Sequence, residues 1–158
     1  MVEHAAVNGT RIAYTLDGPA NAPVLTMSHS LSADHSMWNP QMAALTDAYR
    51  VLRFDTRGHG ASDAPSGEYS LDQLADDVIG LWDHLGIETT HYCGLSMGGM
   101  IGQTLALKAP ERLRTLVLCD TASSYPPEAQ AMWQERIVAG QANGLEAGSD
   151  GTIHRGCS

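Results

Sequence analysis

The sequence is short of positive charge, of cysteine and of long apolar runs, and each shortage narrows what it can do. Nine Lys and Arg stand against 18 Asp and Glu, leaving a net charge of −9. That balance argues against nucleic acid or an anionic membrane as a partner. The three cysteines, Cys93, Cys119 and Cys157, are an odd number without metal-like spacing. Cys93 and Cys119 sit inside apolar strand runs and read as core residues, which fits a reducing cytoplasm. No metal or organic cofactor is indicated. No apolar run approaches transmembrane length, and Met1-Val2-Glu3-His4 offers neither a basic n-region nor an apolar h-region. A soluble, cytoplasmic protein is the expectation.

What is present centres on Tyr92-Cys93-Gly94-Leu95-Ser96-Met97-Gly98-Gly99. A short apolar run precedes Gly94-x-Ser96-x-Gly98, and a helix-forming stretch, Met100 to Ala109, follows it. In a nucleophile elbow the chain leaves a strand, turns sharply at a serine and enters a helix at once. The serine backbone is strained there, so its neighbours must be small, and Gly94 and Gly98 meet that need. The Met97 N–H then falls at a helix N-terminus, where the dipole favours a developing oxyanion. The alternative is a tightly packed strand-to-helix turn without chemistry.

The rest of the chain, 158 residues of which 43% are hydrophobic, is enough for one domain with a real core. Ala5 to Val7 and Arg11 to Leu16 flank Asn8-Gly9, a strong hairpin signal. Strands are expected over Val24–His29, Tyr49–Asp55, the run ending at Ser96, and Leu113–Asp120. Helices are expected over Pro40–Ala48, Leu71–Leu85, the stretch to Ala109 stopped by Pro110, and Glu128–Ala142. The clearest helix is Leu71–Leu85, with Ser70 and Gln73 as a capping box, Gly86 at its end, and Leu71, Leu74, Val78, Leu81 and Leu85 as one apolar stripe. A hairpin followed by alternating strands and helices predicts an α/β fold, a mostly parallel sheet with helices on both faces. Sites in such sheets form at the carboxyl ends of strands, so the loops after the four later strands should meet around Ser96.

Several separate blocks resemble an α/β-hydrolase, and most closely the 3-oxoadipate enol-lactonase branch. They are Ser28 to Ser32 with Ser36-Met37-Trp38, Arg53 to Ser62, Gly94 to Gly99, and Leu116 to Ala122. The resemblance implies that the Leu31 backbone N–H is the second oxyanion donor beside that of Met97. It implies that Asp55, Arg57 and His59 are structural loop residues, although their composition is tempting for catalysis. His29 and His35, near the mouth, together with Trp38, and Trp133 and Arg136, on the helix that would begin the cap, are the candidate substrate contacts. Solvated or loop-packing roles are the alternative for His29, and core packing for the stripe of Met132, Trp133 and Ile137.

The sequence departs from the family pattern toward its end. Typical members continue for about half a domain more, adding two strands and then the catalytic acid and histidine in the order Ser, Asp or Glu, His. The fold expected here is therefore a core over 1–124, truncated after the sixth strand, with a partial helical cap and tail over 125–158. Asp120, which ends the strand after the elbow helix, matches the place where some relatives carry their acid; a turn or cap role is the alternative. His154 is the one histidine beyond Ser96 and alone preserves the triad order. A histidine from a second chain is the other source of a base, which a serine hydroxyl needs to become a good nucleophile.

Two functions follow: a serine hydrolase of a small ester or lactone, or a non-catalytic or residual-activity part of that fold completed by a second chain. Leu113–Asp120 should lie at a sheet edge. Its apolar core lacks the lysine or proline that blunts an exposed edge, which predicts a homodimer through this strand; the alternative is that the tail after Tyr125 folds back and covers the edge within one chain.

Overall fold

The computed structural model describes residues 1–143. The chain divides into two compact units, one spanning Met1–Ala122 and one beginning at Ser123. The first unit is built on strands β1 (Glu3–Val7), β2 (Thr10–Asp17), β3 (Val24–Ser28), β4 (Arg50–Phe54), β5 (Thr90–Leu95) and β6 (Leu113–Cys119). They form one sheet in the order β1-β2-β4-β3-β5-β6. The β1–β2 hairpin turns at Asn8 (φ 47°) and Gly9 (φ 74°), the two left-handed residues a tight type I′ turn requires. β2 runs antiparallel to β4, and β4, β3, β5 and β6 are mutually parallel. This is the mostly parallel sheet read from the sequence.

Parallel pairing needs crossover connections, here helices α1 (Asn39–Leu45), α2 (Leu71–His84) and α3 (Met97–Lys108). The strand period of two sorts side chains between two cores. Leu52, Phe54 and Tyr92 pack with Leu74, Val78, Leu81 and Trp82 of α2 and with Ile101 and Leu105 of α3. Their sequence neighbours Val51 and Cys93 face the other way, with Met27, Trp38 and the α1 residues Met42 and Leu45. Ser70 caps α2 by accepting the Gln73 N–H at 3.1 Å, and Gly86 follows the helix at φ 66°.

One helix is shorter than expected. A 3₁₀ turn over His35–Trp38, capped by Asp34 accepting the Ser36 N–H at 2.7 Å, precedes α1. At its other end the Thr46 hydroxyl donates to the Met42 carbonyl at 2.8 Å, and the Ala48 N–H turns back to the Leu45 carbonyl. These local bonds give the backbone an alternative to further α-helix.

Parallel register brings the carboxyl ends of β3, β4, β5 and β6 to one side of the sheet. Ser28 is level with Phe54 and Gly94, and Leu95 with Cys119. β6 stands at the edge of the described sheet, with Val117 49% and Leu118 40% exposed. No helix among the described residues is long and apolar enough to cross a membrane.

In the second unit, helix α4 spans Pro127–Asn143. Trp133 is half-buried, its ring 6.2 Å from that of Tyr125, and the Arg136 guanidinium lies 4.9 Å over the Trp133 ring. Met132 and Ile137, placed on the same stripe by the sequence, are exposed.

Candidate active site

Ser96 lies between β5 and α3 with φ 53° and ψ −111°, a backbone conformation that costs a non-glycine residue about 1–3 kcal/mol. Its surroundings over-determine that conformation. The Ser96 N–H donates to the Cys119 carbonyl at 2.9 Å, and the Ser96 carbonyl accepts from the Met100 N–H at 3.1 Å and the Thr121 hydroxyl at 2.8 Å. The glycines are required by close approach. A Cβ on Gly94 would sit 2.2 Å from the Gly98 carbonyl oxygen, and one on Gly98 would sit 2.4 Å from the Ser28 carbonyl oxygen. Under the turn, the Tyr92 hydroxyl donates to the Gly98 carbonyl at 2.9 Å.

The turn thereby holds the half-buried Ser96 at the carboxyl end of the sheet, with Met97 as the first residue of α3. The first N–H groups of a helix have no intrahelical acceptor, so the Met97 amide is one of the donors available to a developing anion. The loop after β3 is tied to the same turn, because the Gly98 N–H donates to the His29 carbonyl at 3.1 Å. Two residues further on, Leu31 is 46% exposed, followed by Ser32 in the left-handed region at φ 62°. The loop after β3 and the residues that end β6 therefore meet the elbow directly.

His29 takes the loop-packing role that was the alternative to substrate contact, which corrects the expectation of a substrate contact. It is fully buried: its Nδ1–H donates to the Ser30 carbonyl at 2.8 Å, and its Nε2 accepts the Thr56 N–H at 3.0 Å. Burial pushes its pKa below the ordinary imidazole value, so the neutral ring pins the loop after β3 to the loop after β4. Trp38 corrects a second such expectation. It is 8% exposed and packs with Met27 and Val51, so it belongs to the core. Asp120 follows β6, exposed and at φ 41°, immediately before the Thr121 that bonds to Ser96. Trp133 and Arg136 lie in the second unit as described above. His154 lies outside the described residues.

Asp55, Arg57 and His59 hold the loop after β4, as the resemblance implies. Buried Asp55 accepts the His35 N–H at 2.7 Å and the Ala61 N–H at 2.8 Å, and its Oδ1 lies 2.8 Å from the His35 Nδ1. Arg57 forms a buried two-pronged ion pair with Asp77 of α2. His59 stacks obliquely on His29 with ring centroids 5.1 Å apart. Asp34, His35 and Asp55 lie close enough to hold a cation, with ligand atoms within 4.8 Å of one another. Their oxygens already accept N–H groups that shape the loop, which is their evident role.

Sequence reasoning missed Thr121 and the Cys119 carbonyl as supports of the elbow. A short polar residue just past an apolar strand was the only available signal. Among the described residues, no side chain hydrogen-bonds the Ser96 hydroxyl.

Comparison with known proteins agrees with this geometry. A profile described as the alpha/beta hydrolase fold matches residues 23–147. The chain is 47% identical over 132 residues to 3-oxoadipate enol-lactonase 2 of Acinetobacter baylyi, covering 84% of this chain and 49% of that protein. It is 40% identical over 137 residues to 3-oxoadipate enol-lactonase 1 of the same organism, covering 87% and 50%. The crystal structure of the enol-lactonase from Burkholderia xenovorans superposes with a TM-score of 0.89 at 46% identity, over 96% of this chain and 58% of that one. The chain spans about half the length of the curated relatives it matches.

Proposed function

The chain belongs to the alpha/beta hydrolase fold family, and from that premise we propose that it contributes the nucleophile and oxyanion site of a serine hydrolase acting on small carboxylic esters or lactones. The observation that carries the reading is the strained Ser96, held at φ 53° between strand and helix where Gly94 and Gly98 leave no room for side chains. In the proposed reaction the Ser96 oxygen attacks the substrate carbonyl while a histidine takes its proton. The Leu31 and Met97 amides receive the charge that develops on the carbonyl oxygen, each such donor contributing about 3–4 kcal/mol to the transition state. Collapse of the tetrahedral intermediate expels the alcohol and leaves an acyl group on Ser96, which water then removes. Lactone substrates and an Arg136 contact to a substrate carboxylate are suggested by the similarity to the enol-lactonases. Trp133 is the companion proposal for the acyl side, and Asp120 and His154 are the proposed acid and base.

A second reading rests on the Ser96 hydroxyl, which no side chain among the described residues hydrogen-bonds, and on the place of β6 at the edge of the described sheet. Here the chain has no activity, or only residual activity, until a second chain completes the triad. Pairing of two copies along β6 is the proposed association, and the free thiols of Cys93 and Cys119 suit a reducing cytoplasm.

Hydrolysis of p-nitrophenyl acetate by the full chain tests the first reading. Activity reduced to background by Ser96→Ala supports it. Activity that survives the substitution removes Ser96 from the chemistry. No Ser96-dependent activity in the full chain favours the second reading.

A further inference from the structure

Cys93 and Cys119 are far apart in sequence, and their spacing carries no metal signature. The sheet brings them together. Cys93 of β5 is level with Val117 of β6, and Leu95 is level with Cys119, so the two cysteines are diagonal neighbours on adjacent parallel strands. Side chains two residues apart on a strand share a face, which puts both thiols on the α1 side of the sheet. Both residues are half-buried and neither is in a disulfide. On the other flank of Cys93, β3 places Met27 directly level with it, and the two residues pack in one cluster that also contains Met37 and Met42. Soft sulfur donors are thus gathered on one sheet face, and Asp34, His35 and Asp55 belong to a different group.

We infer that Cys93 and Cys119 form a two-coordinate thiolate site for a soft monovalent d¹⁰ cation, Cu(I), walled by the thioether of Met27. Thiolate and thioether ligands select Cu(I) over harder ions, and two thiolates without further ligands do not suit the four-coordinate preference of Zn(II). Diagonal positions are also less favourable for a disulfide, which needs close, specific Cα and Cβ spacing, whereas an intervening ion lengthens the bridge. The binding step balances without a change of oxidation state: one Cu(I) and two thiols give one bis-thiolate complex and two protons. The site lies beneath the elbow, because the Cys119 carbonyl accepts the Ser96 N–H at 2.9 Å. An ion bridging the two cysteines would staple the strand ends that carry Ser96 and Asp120.

The reduced 158-residue chain, kept anaerobic, is titrated with Cu(I) against a chromogenic Cu(I) chelator. The expected result is one ion per chain withheld from the chelator. Cys93→Ser and Cys119→Ser should each weaken binding by about 100-fold, and Cys157→Ser should leave it unchanged. Full affinity in either of the first two variants overturns the site. Serine on these strands risks misfolding, so a second measurement uses Cys157→Ser, in which both proposed ligands are intact. X-ray absorption at the copper edge of the loaded variant should show two sulfur neighbours around the ion. Nitrogen or oxygen neighbours in place of the two sulfurs overturn the bis-thiolate assignment.

Discussion

The elbow and the outer edge of β6 lie a few residues apart on the same pair of strands, yet they are built on opposite principles. At the elbow nothing is left free to relax. Gly94 and Gly98 are in backbone contact, Ser96 is held through both its N–H and its carbonyl, and Thr121 closes the far side. Along the edge, backbone groups of β6 have no neighbouring strand among the described residues, and Val117 and Leu118 are exposed. The strain of an uncommon backbone persists only where its surroundings fix it, so the constrained region is where chemistry is expected. The open region is where association is expected, because unpaired strand edges invite pairing.

The contrast can be broken most severely at Gly94. Gly94→Ala would put a Cβ 2.2 Å from the Gly98 carbonyl oxygen, and neither backbone can yield without displacing Ser96. A loss of roughly 3 kcal/mol or more is expected in urea unfolding, or failure to fold. A loss below about 1 kcal/mol would show that the elbow is not as tightly determined as its contacts imply.

The next effect is pH-dependent and belongs to the same constrained region. His29 is neutral in the folded chain because burial depresses its pKa below the ordinary value of 6.5. The unfolded chain therefore takes up the proton first as pH falls. The stabilising contribution is fully present above about pH 6.5 and is lost as pH drops from there toward the depressed folded value, at no more than about 1.4 kcal/mol per pH unit. Urea midpoints measured across that window should fall with acidification, and His29→Gln should flatten the slope. An unchanged slope in the variant would assign the acid sensitivity to other groups.

Much of this was legible before the structure. The apolar stripe of α2, the Asn8-Gly9 turn and the alternation of strand with helix are local signals, and each element formed close to its expected place. The elbow was legible because close backbone approach requires glycine on both sides of Ser96. For His29 the sequence left substrate contact, solvation and loop packing open, and the choice of loop packing depends on Thr56, a partner 27 residues away. Trp38 was not legible as a buried residue. Trp38 is placed by a 3₁₀ turn whose cap, Asp34, sits in a stretch without helical periodicity. The pairing of Cys93 with Cys119 depends on strand register, which neither segment encodes alone.

The smallest expected effect on stability is at the edge. Val117→Lys places a charge on an exposed position and should change unfolding free energy by less than about 0.5 kcal/mol. It should nonetheless reduce self-association seen by sedimentation at micromolar concentration, since a central lysine blunts an edge strand. Undiminished association in this variant would place the interface elsewhere.

The central claim is that the fold singles out Ser96 as a nucleophile, and covalent labelling with a fluorophosphonate tests it most directly. The 158-residue chain is exposed to the probe, digested, and the adduct mapped by mass spectrometry as a function of time. Ser96 is expected to be modified faster than any other serine, and Ser96→Ala to remove the fast adduct. Labelling of Ser96 no faster than that of the other serines would contradict it.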